Sequence, residues 1–151
     1  MAAQYKDKRL PHPELNSYKT EFERDLFMVI NLLRENPLSF QTYIKAYVNK
    51  GKFSGDPNAA NTLISKLTQC EQLTPITLNN HASNACYVNL TKNQDTPSNI
   101  SGNAVKELKT VEPSLTSEYK VFDTYKRKWT GSPLELVIVL LLSYYERQGV
   151  N

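Results

Sequence analysis

The sequence predicts a mainly α-helical protein, and three observations support this fold class. Apolar residues recur at helical spacing, capping residues stand where several of these segments begin, and the last segment is apolar nearly all round. At 151 residues, the length suits one domain. We expect about five helices in a single domain over residues 19–151, preceded by an extended arm over residues 1–18, with at most a small β element.

The arm is predicted from its composition. Residues 1–18 contain Pro11 and Pro13 and few large aliphatic side chains, so they cannot bury enough surface to fold alone. The arm also carries a basic cluster, which we expect to contact a protein partner. The candidate contact residues of the arm are Tyr5, Lys6, Lys8 and Arg9.

The first two helices are marked by their ends. Thr20 and Glu23 match a capping box, and apolar residues recur at helical spacing between residues 22 and 33. Asn36-Pro37 ends this helix, because the residue before a proline avoids the α conformation. The same dipeptide can begin the second helix as cap and first helical residue, and Gly51 can end it.

The later helices follow similar signals. Asp56-Pro57 begins a third helix, and a fourth is expected from about Asn80 to Leu90. Ser132 and Glu135 form a second capping box, which begins a final helix from Pro133 to about Arg147. Because that helix is apolar nearly all round, we expect it at the centre of the core.

The region before the final helix is less regular. Residues 92–117 are rich in Asn, Ser, Thr and Pro and are predicted to be a loop with one helical turn near Ala104–Leu108. Residues 118–129 are compatible with either a strand or a helix.

Catalytic and metal-binding motifs are not evident in the sequence. The two histidines and two cysteines lack metal-ligand spacing, and no glycine-rich phosphate-binding motif occurs. His81 and Cys86 lie about 140° apart around a helix, which is unsuited to a Cys–His couple. We therefore expect no enzyme activity, no metal and no cofactor. Cys70 and Cys86 are expected to be buried, reduced thiols, with a disulfide between them as the alternative.

A basic and aromatic cluster over residues 119–129 is the most distinctive surface feature. It has four basic residues, one acidic residue and four aromatic residues. Such a stretch can contact an acidic protein surface or grip nucleic acid, or it can be a solvated rim beside a buried tryptophan. We prefer the protein contact to nucleic acid binding. The candidate contact residues are Lys126, Arg127, Lys128 and Trp129.

Two segments resemble a known family. Residues 26–37 carry Asn31, Arg34 and Asn36-Pro37 in the order found in the first helix of CAP (SCP-like) domains, the superfamily of cysteine-rich secretory proteins, antigen 5 and plant pathogenesis-related 1 proteins. Residues 73–86 resemble its second landmark, a Pro-containing run that leads into an alanine-rich helix. The final helix resembles the late helix of the family, so the resemblance spans about residues 20–150.

The resemblance implies a fold close to the helical part of a CAP α-β-α sandwich. Residues 92–103 contain no histidine, so the family's pocket of two histidines and two acidic residues is not expected here. The last strands of the sandwich are not expected either. Apolar surface left by their loss would be covered by a partner.

These observations predict a non-enzymatic structural or interaction subunit of a large cytosolic assembly. The net charge of +3 suits an acidic partner. A Lys- and Asn-rich composition is typical of AT-rich genomes such as those of ciliates, and we expect an accessory protein of ciliary doublet microtubules with tubulin as one partner. The alternative is a CAP-like module that binds a lipid or another small apolar ligand.

No membrane span is expected, because the longest apolar run covers only Leu136–Leu142 and a spanning helix needs about 20 residues. The first ten residues carry charges and no apolar stretch of the kind found in a secretory signal peptide, so we expect a cytoplasmic location, in the cilium or axoneme. Nucleic acid binding ranks third among the functions considered.

Overall fold

Six α-helices with described bounds, one 3₁₀ turn and the helical residues 106, 108–110 and 113 form the regular structure of the described residues in the computed structural model, which confirms the mainly α-helical fold class. The structure describes residues 2–12, 18–92, 106, 108–110, 113 and 129–148. The helices are α1 (Ala2–Lys6), α2 (Glu21–Glu35), α3 (Phe40–Asn49), α4 (Pro57–Gln69), α5 (Asn80–Lys92) and α6 (Pro133–Gln148), and the 3₁₀ turn covers Pro37–Ser39.

Both predicted capping boxes form. At α2, the Glu23 N–H donates to the Thr20 hydroxyl at 3.2 Å, while the Glu23 carboxylate accepts from the backbone N–H of Lys19 at 2.8 Å. At α6, the Glu135 N–H donates to the Ser132 hydroxyl at 3.2 Å and the Ser132 N–H donates back to the Glu135 carboxylate at 3.0 Å. These bonds satisfy backbone donors that a helix start leaves without partners.

The two cap–proline pairs also begin helical structure. The Asn36 side chain accepts from the Ser39 N–H at 3.2 Å and starts the 3₁₀ turn that leads into α3. The Asp56 side chain accepts from the Asn58 N–H at 2.8 Å at the start of α4. Gly51 follows α3 with a φ of +67°, a left-handed conformation that glycine adopts without steric cost.

The first of two units comprises residues 1–76 and 130–151, and its core lies between α2, α3, α4 and α6. Helix α6 packs against each of the other three, as its apolar character predicts. Six apolar side chains in this core are at most 2% exposed, and each contributes about 1.5–3 kcal/mol by its burial. They are Val29, Phe40, Ile44, Leu63, Ile138 and Leu142.

The N-terminal residues differ from the extended arm that their composition predicts. Residues 2–6 form α1, and the Tyr5 side chain is only 4% exposed within the core of the first unit. A helix of five residues is unstable by itself in water. Its formation therefore depends on the burial of Tyr5, a long-range contact that proline content and mean apolarity do not register.

The second unit comprises residues 77–129. Its helix α5 starts where predicted, with the Asn79 side chain accepting from the Ala82 N–H at 2.9 Å. Residues 106 and 108–110 are helical, near the turn expected at residues 104–108. Residues 118–128, whose conformation the sequence leaves open, lie outside the described part of the chain.

The segment that follows α3 is tied to the start of α6 by an ion pair between Lys52 and Glu135. The hydrogen bond from Lys52, followed by the bonds from Ser132, lowers the pKa of the Glu135 carboxyl below its ordinary value of 4.5. In turn, the hydrogen bond to Glu135 and the charge of its carboxylate raise the pKa of Lys52 above its ordinary value of 10.5. A carboxyl whose folded pKa is lowered stabilises the fold above its unfolded pKa, and this contribution is lost as the pH falls through the folded pKa.

We expect Leu142→Ala to destabilise the protein by about 2–5 kcal/mol, because it removes a fully buried side chain and leaves a cavity at the helix contact. Chemical denaturation monitored by circular dichroism measures the loss. Leu90→Ala on α5, where the side chain is 47% exposed, is the matched control and should cost less than about 1 kcal/mol. Equal losses in the two variants would contradict the assignment of Leu142 to the core.

We expect Glu135→Gln to lower the melting temperature at neutral pH, with the difference from wild type shrinking as the pH falls below 4.5. Thermal melts followed between pH 7 and about pH 3 test this. Glu71→Gln, at an exposed position in the linker after α4, is the charge-matched control and should show no such pH dependence. A Glu135→Gln effect that persists at the acid end would rule out the ionised pair as its source.

Candidate partner-binding site

The side chain of Asn31 forms the polar centre of the first unit. Asn31 is fully buried, and its carboxamide oxygen accepts from the Ile76 N–H at 2.7 Å while its amide donates to the Ile76 carbonyl at 3.1 Å. The same amide also donates to the Tyr5 hydroxyl at 3.3 Å. One side chain in α2 thus holds both α1 and the segment after α4.

One turn later on the same helix, Arg34 holds the same segment. Its Nε donates to the Thr74 carbonyl at 2.7 Å, and the Leu73 N–H donates to the backbone carbonyl of Arg34 at 2.7 Å. The two stretches that carry the CAP resemblance, residues 26–37 and 73–86, are therefore directly bonded through Asn31 and Arg34. Together these bonds fix residues 73–76 along the C-terminal half of α2.

Tyr5 anchors α1 to this centre. Its hydroxyl donates to the Pro11 carbonyl at 2.6 Å and accepts from Asn31. Burial raises the pKa of the Tyr5 phenol, and the hydrogen bond from Asn31 opposes this shift. Burial, followed by the nearby Tyr5, raises the pKa of Tyr18 to about 12. Both phenols therefore stay neutral at physiological pH and act only as hydrogen-bonding and packing groups.

A second link joins the N-terminal residues to α2. The Lys8 ammonium donates to Glu35 Oε1 at 2.6 Å, and the two side chains are 35% and 22% exposed. The other carboxylate oxygen, Glu35 Oε2, is buried and has no hydrogen-bond partner in the described part of the chain. A buried carboxylate oxygen without a donor carries a free-energy cost.

A small groove opens beside this ion pair. Its cavity volume is about 180 Å³, below the roughly 300–1,000 Å³ that is typical of small-molecule sites. Its lining combines apolar side chains with the charged groups of the ion pair, and its small volume limits the size of any molecule that could enter. The groove is lined by Gln4, Lys8, Leu32, Glu35, Asn36, Ser39, Phe40 and Tyr43.

Two leucines at the C-terminal end of α2 point towards solvent. Leu38 lies in the 3₁₀ turn that follows α2 and is 54% exposed, and Leu73 is 42% exposed. Backbone hydrogen bonds hold both positions: Ser39 N–H donates to the Asn36 carbonyl at 3.2 Å, and Leu73 N–H donates to Arg34. We call Leu38 and Leu73 together the α2-end surface.

The predicted contact residues are placed differently from one another. Tyr5 lies in the core instead of on the surface expected for a partner contact, because its ring packs against α2 and its hydroxyl bonds within the protein. Lys8 is engaged with Glu35, whereas Lys6 and Arg9 are exposed. Trp129 is half-buried in the second unit. Residues 126–128 lie outside the described residues.

Sequence reasoning missed the α2-end surface and the partners of the N-terminal basic residues. No pattern marks Leu38 or Leu73, because their exposure depends on how residues 36–39 and 73–76 bond to α2. Lys8 and Glu35 stand 27 positions apart. Opposite charges at such a separation become neighbours only through the fold.

The candidate catalytic and metal-binding side chains are dispersed. Neither cysteine forms a disulfide, and Cys86 is exposed while Cys70 is half-buried, so the expectation of two buried thiols is wrong. His81 is exposed. Among the described residues, no three His, Cys, Asp or Glu side chains converge as metal ligands would. Within the same residues, every helix falls short of the length and apolarity that crossing a membrane requires.

Comparisons of this chain with protein families, with curated proteins and with solved structures find no match. The CAP resemblance therefore stays a prediction that is based on its residues.

We expect Asn31→Ala to destabilise the protein by about 2–4 kcal/mol, because it leaves both backbone groups of Ile76 without their partner inside the fold. Denaturant titration gives the free energy of unfolding. Asn61→Ala, at an exposed position on α4, is the matched control and should be neutral or slightly stabilising. If the two variants were equally stable, Asn31 would not have the central role assigned to it.

Proposed function

We propose that this chain is a non-enzymatic interaction subunit of a larger protein assembly and that the α2-end surface contacts its partner. The observation that carries the proposal is the fixed exposure of two leucines at one helix end. Backbone bonds and the Arg34 side chain hold this region, so Leu38 and Leu73 are presented without a large ordering cost on binding. Exposed apolar side chains that are already held in place favour binding, because a partner that covers them removes apolar surface from water.

The charge distribution supports an acidic partner. The chain carries a net charge of +3, and Lys6 and Arg9 are exposed cations of the first unit. Complementary charge speeds association and favours one partner over others. An acidic protein surface such as that of tubulin fits this description, and we propose the ciliary doublet microtubule as the assembly.

We also propose that the fold is a degenerate member of the CAP superfamily. The bonds of Asn31 and Arg34 to residues 74–76 support this, because they join the two stretches that carry the resemblance. A small-ligand function has less support, because the groove beside Glu35 is small. The interaction function therefore accounts for more of the described features.

We expect the double variant Leu38→Asn/Leu73→Asn to weaken binding to the native assembly at least tenfold, since it removes both apolar anchors. Tagged protein returned to cells or to a native particle extract is fractionated by size, and the bound share is measured. Leu90→Asn is the control of similar exposure on the second unit and should bind as wild type does.

The melting temperature of each variant is measured alongside, so that loss of binding is not confused with loss of folding. Retention of the folded double variant in the particle at the wild-type level would exclude the α2-end surface as the contact. Migration of the native wild-type protein as a free monomer under all extraction conditions would overturn the subunit proposal itself.

A further inference from the structure

We infer that residues 2–12 form a releasable strap, held closed by the Lys8–Glu35 ion pair, that opens while the core of the first unit stays folded. The strap consists of α1 and the irregular residues that follow it. This inference concerns the free chain, so it stands or falls independently of the proposed assembly function.

The attachment of the strap is narrow. Helix α1 has five residues and contacts α2. Among the strap side chains that the structure describes, only Tyr5 is buried. Leu10 is only partly buried at the edge of the core. A helix this short has no independent stability, so it persists only while these few contacts hold.

The hydrogen bonds at Tyr5 allow release at little cost to the core. The bond from the Tyr5 hydroxyl to Pro11 lies within the strap and can persist after opening. Asn31 keeps both bonds to Ile76 whether or not the strap is docked. Opening therefore removes the burial of the Tyr5 ring and one long hydrogen bond of 3.3 Å between Asn31 and Tyr5, and water can replace the hydrogen bond.

The ion pair between Lys8 and Glu35 is the remaining polar link between the strap and α2, and it carries a free-energy cost of its own. In the closed state Glu35 Oε2 is buried without a donor in the described part of the chain, a cost that the bond from Lys8 to Oε1 must offset. Opening the strap removes Gln4 and Lys8 from the groove beside this carboxylate, so that water can take the place of Lys8. Without the Lys8 charge, both carboxylate oxygens would lack a donor in the closed state, so the balance would move towards the open state.

Opening would also change the groove. Gln4 and Lys8 line it from the strap, opposite Leu32 and Phe40 from the core. When the strap leaves, the groove loses that wall and becomes a wider, more apolar surface. The ion pair thus controls how much of this surface is accessible.

Cleavage by chymotrypsin after Tyr5 tests the inference, because the protease must bind a ring that the closed state buries. The rate of Tyr5–Lys6 cleavage in the full chain is followed by mass spectrometry for wild type, Lys8→Gln and Arg9→Gln. Arg9→Gln is the matched control, since it removes the same charge from an exposed position in the strap without changing the cleaved bond. We expect Lys8→Gln to be cleaved about five- to tenfold faster than both other proteins.

The salt dependence of cleavage and the rate of amide hydrogen exchange are two further measurements. Both can be made on the wild-type protein, so they do not depend on whether a variant folds. Added salt should speed cleavage of wild type but not of Lys8→Gln, because it screens the ion pair. The amide hydrogens of Lys8 and Leu10 should exchange faster than those of α2 in wild type. Equal cleavage rates in the three proteins, or cleavage and exchange no faster than global unfolding, would overturn the inference and make the strap an integral part of the core.

Discussion

The packing of the first unit depends on how the buried polar groups around Asn31 are satisfied. A strand-like segment that runs beside a helix normally leaves its backbone groups without partners, and burying them is costly. Asn31 removes this problem at Ile76, since one carboxamide can accept and donate at the same time. Arg34 extends the same solution to Thr74. The chain between α4 and α5 is thereby fixed without a β-sheet.

This arrangement explains why α2 is the organising helix. One of its faces contributes Val29 and Leu32 to the apolar core with α6, and its polar positions hold segments that are distant in sequence. Aspartate or leucine at position 31 could not replace asparagine. Aspartate lacks the donor for the Ile76 carbonyl, and leucine lacks both groups, so each would bury an unsatisfied backbone atom.

The sequence predicts the helices well because their signals are local. The box at Ser132 and Glu135 and the cap at Asp56 bond over two or three residues, so the sequence alone is sufficient to locate them. The apolar character of α6 likewise predicts its place between the other helices, since an all-round apolar helix must be covered on several sides.

The candidate site is less predictable because its contacts are not local. Tyr5 and Asn31 are 26 residues apart, and Asn31 and Ile76 are 45 apart. The composition of residues 1–18 correctly indicates that they cannot fold by themselves. It does not indicate that the core formed by the rest of the chain buries the Tyr5 ring. The position of Leu73 likewise depends on a long-range bond to Arg34, whereas Leu38 is held by local bonds of the Asn36–Ser39 turn.

The two kinds of attachment on α2 differ in how reversible they are. The segment at residues 73–76 is held by four hydrogen bonds with Asn31 and Arg34, and its release would leave the fully buried Asn31 side chain without its Ile76 partners. The strap is held by the burial of the Tyr5 ring and by polar side-chain groups that water can satisfy equally well, and in the closed state Glu35 Oε2 has no donor in the described part of the chain. One helix therefore carries a permanent attachment and a conditional one. The reason is chemical: a fully buried carboxamide such as that of Asn31 needs a fixed partner, whereas an ion pair at the edge of the fold competes with solvent.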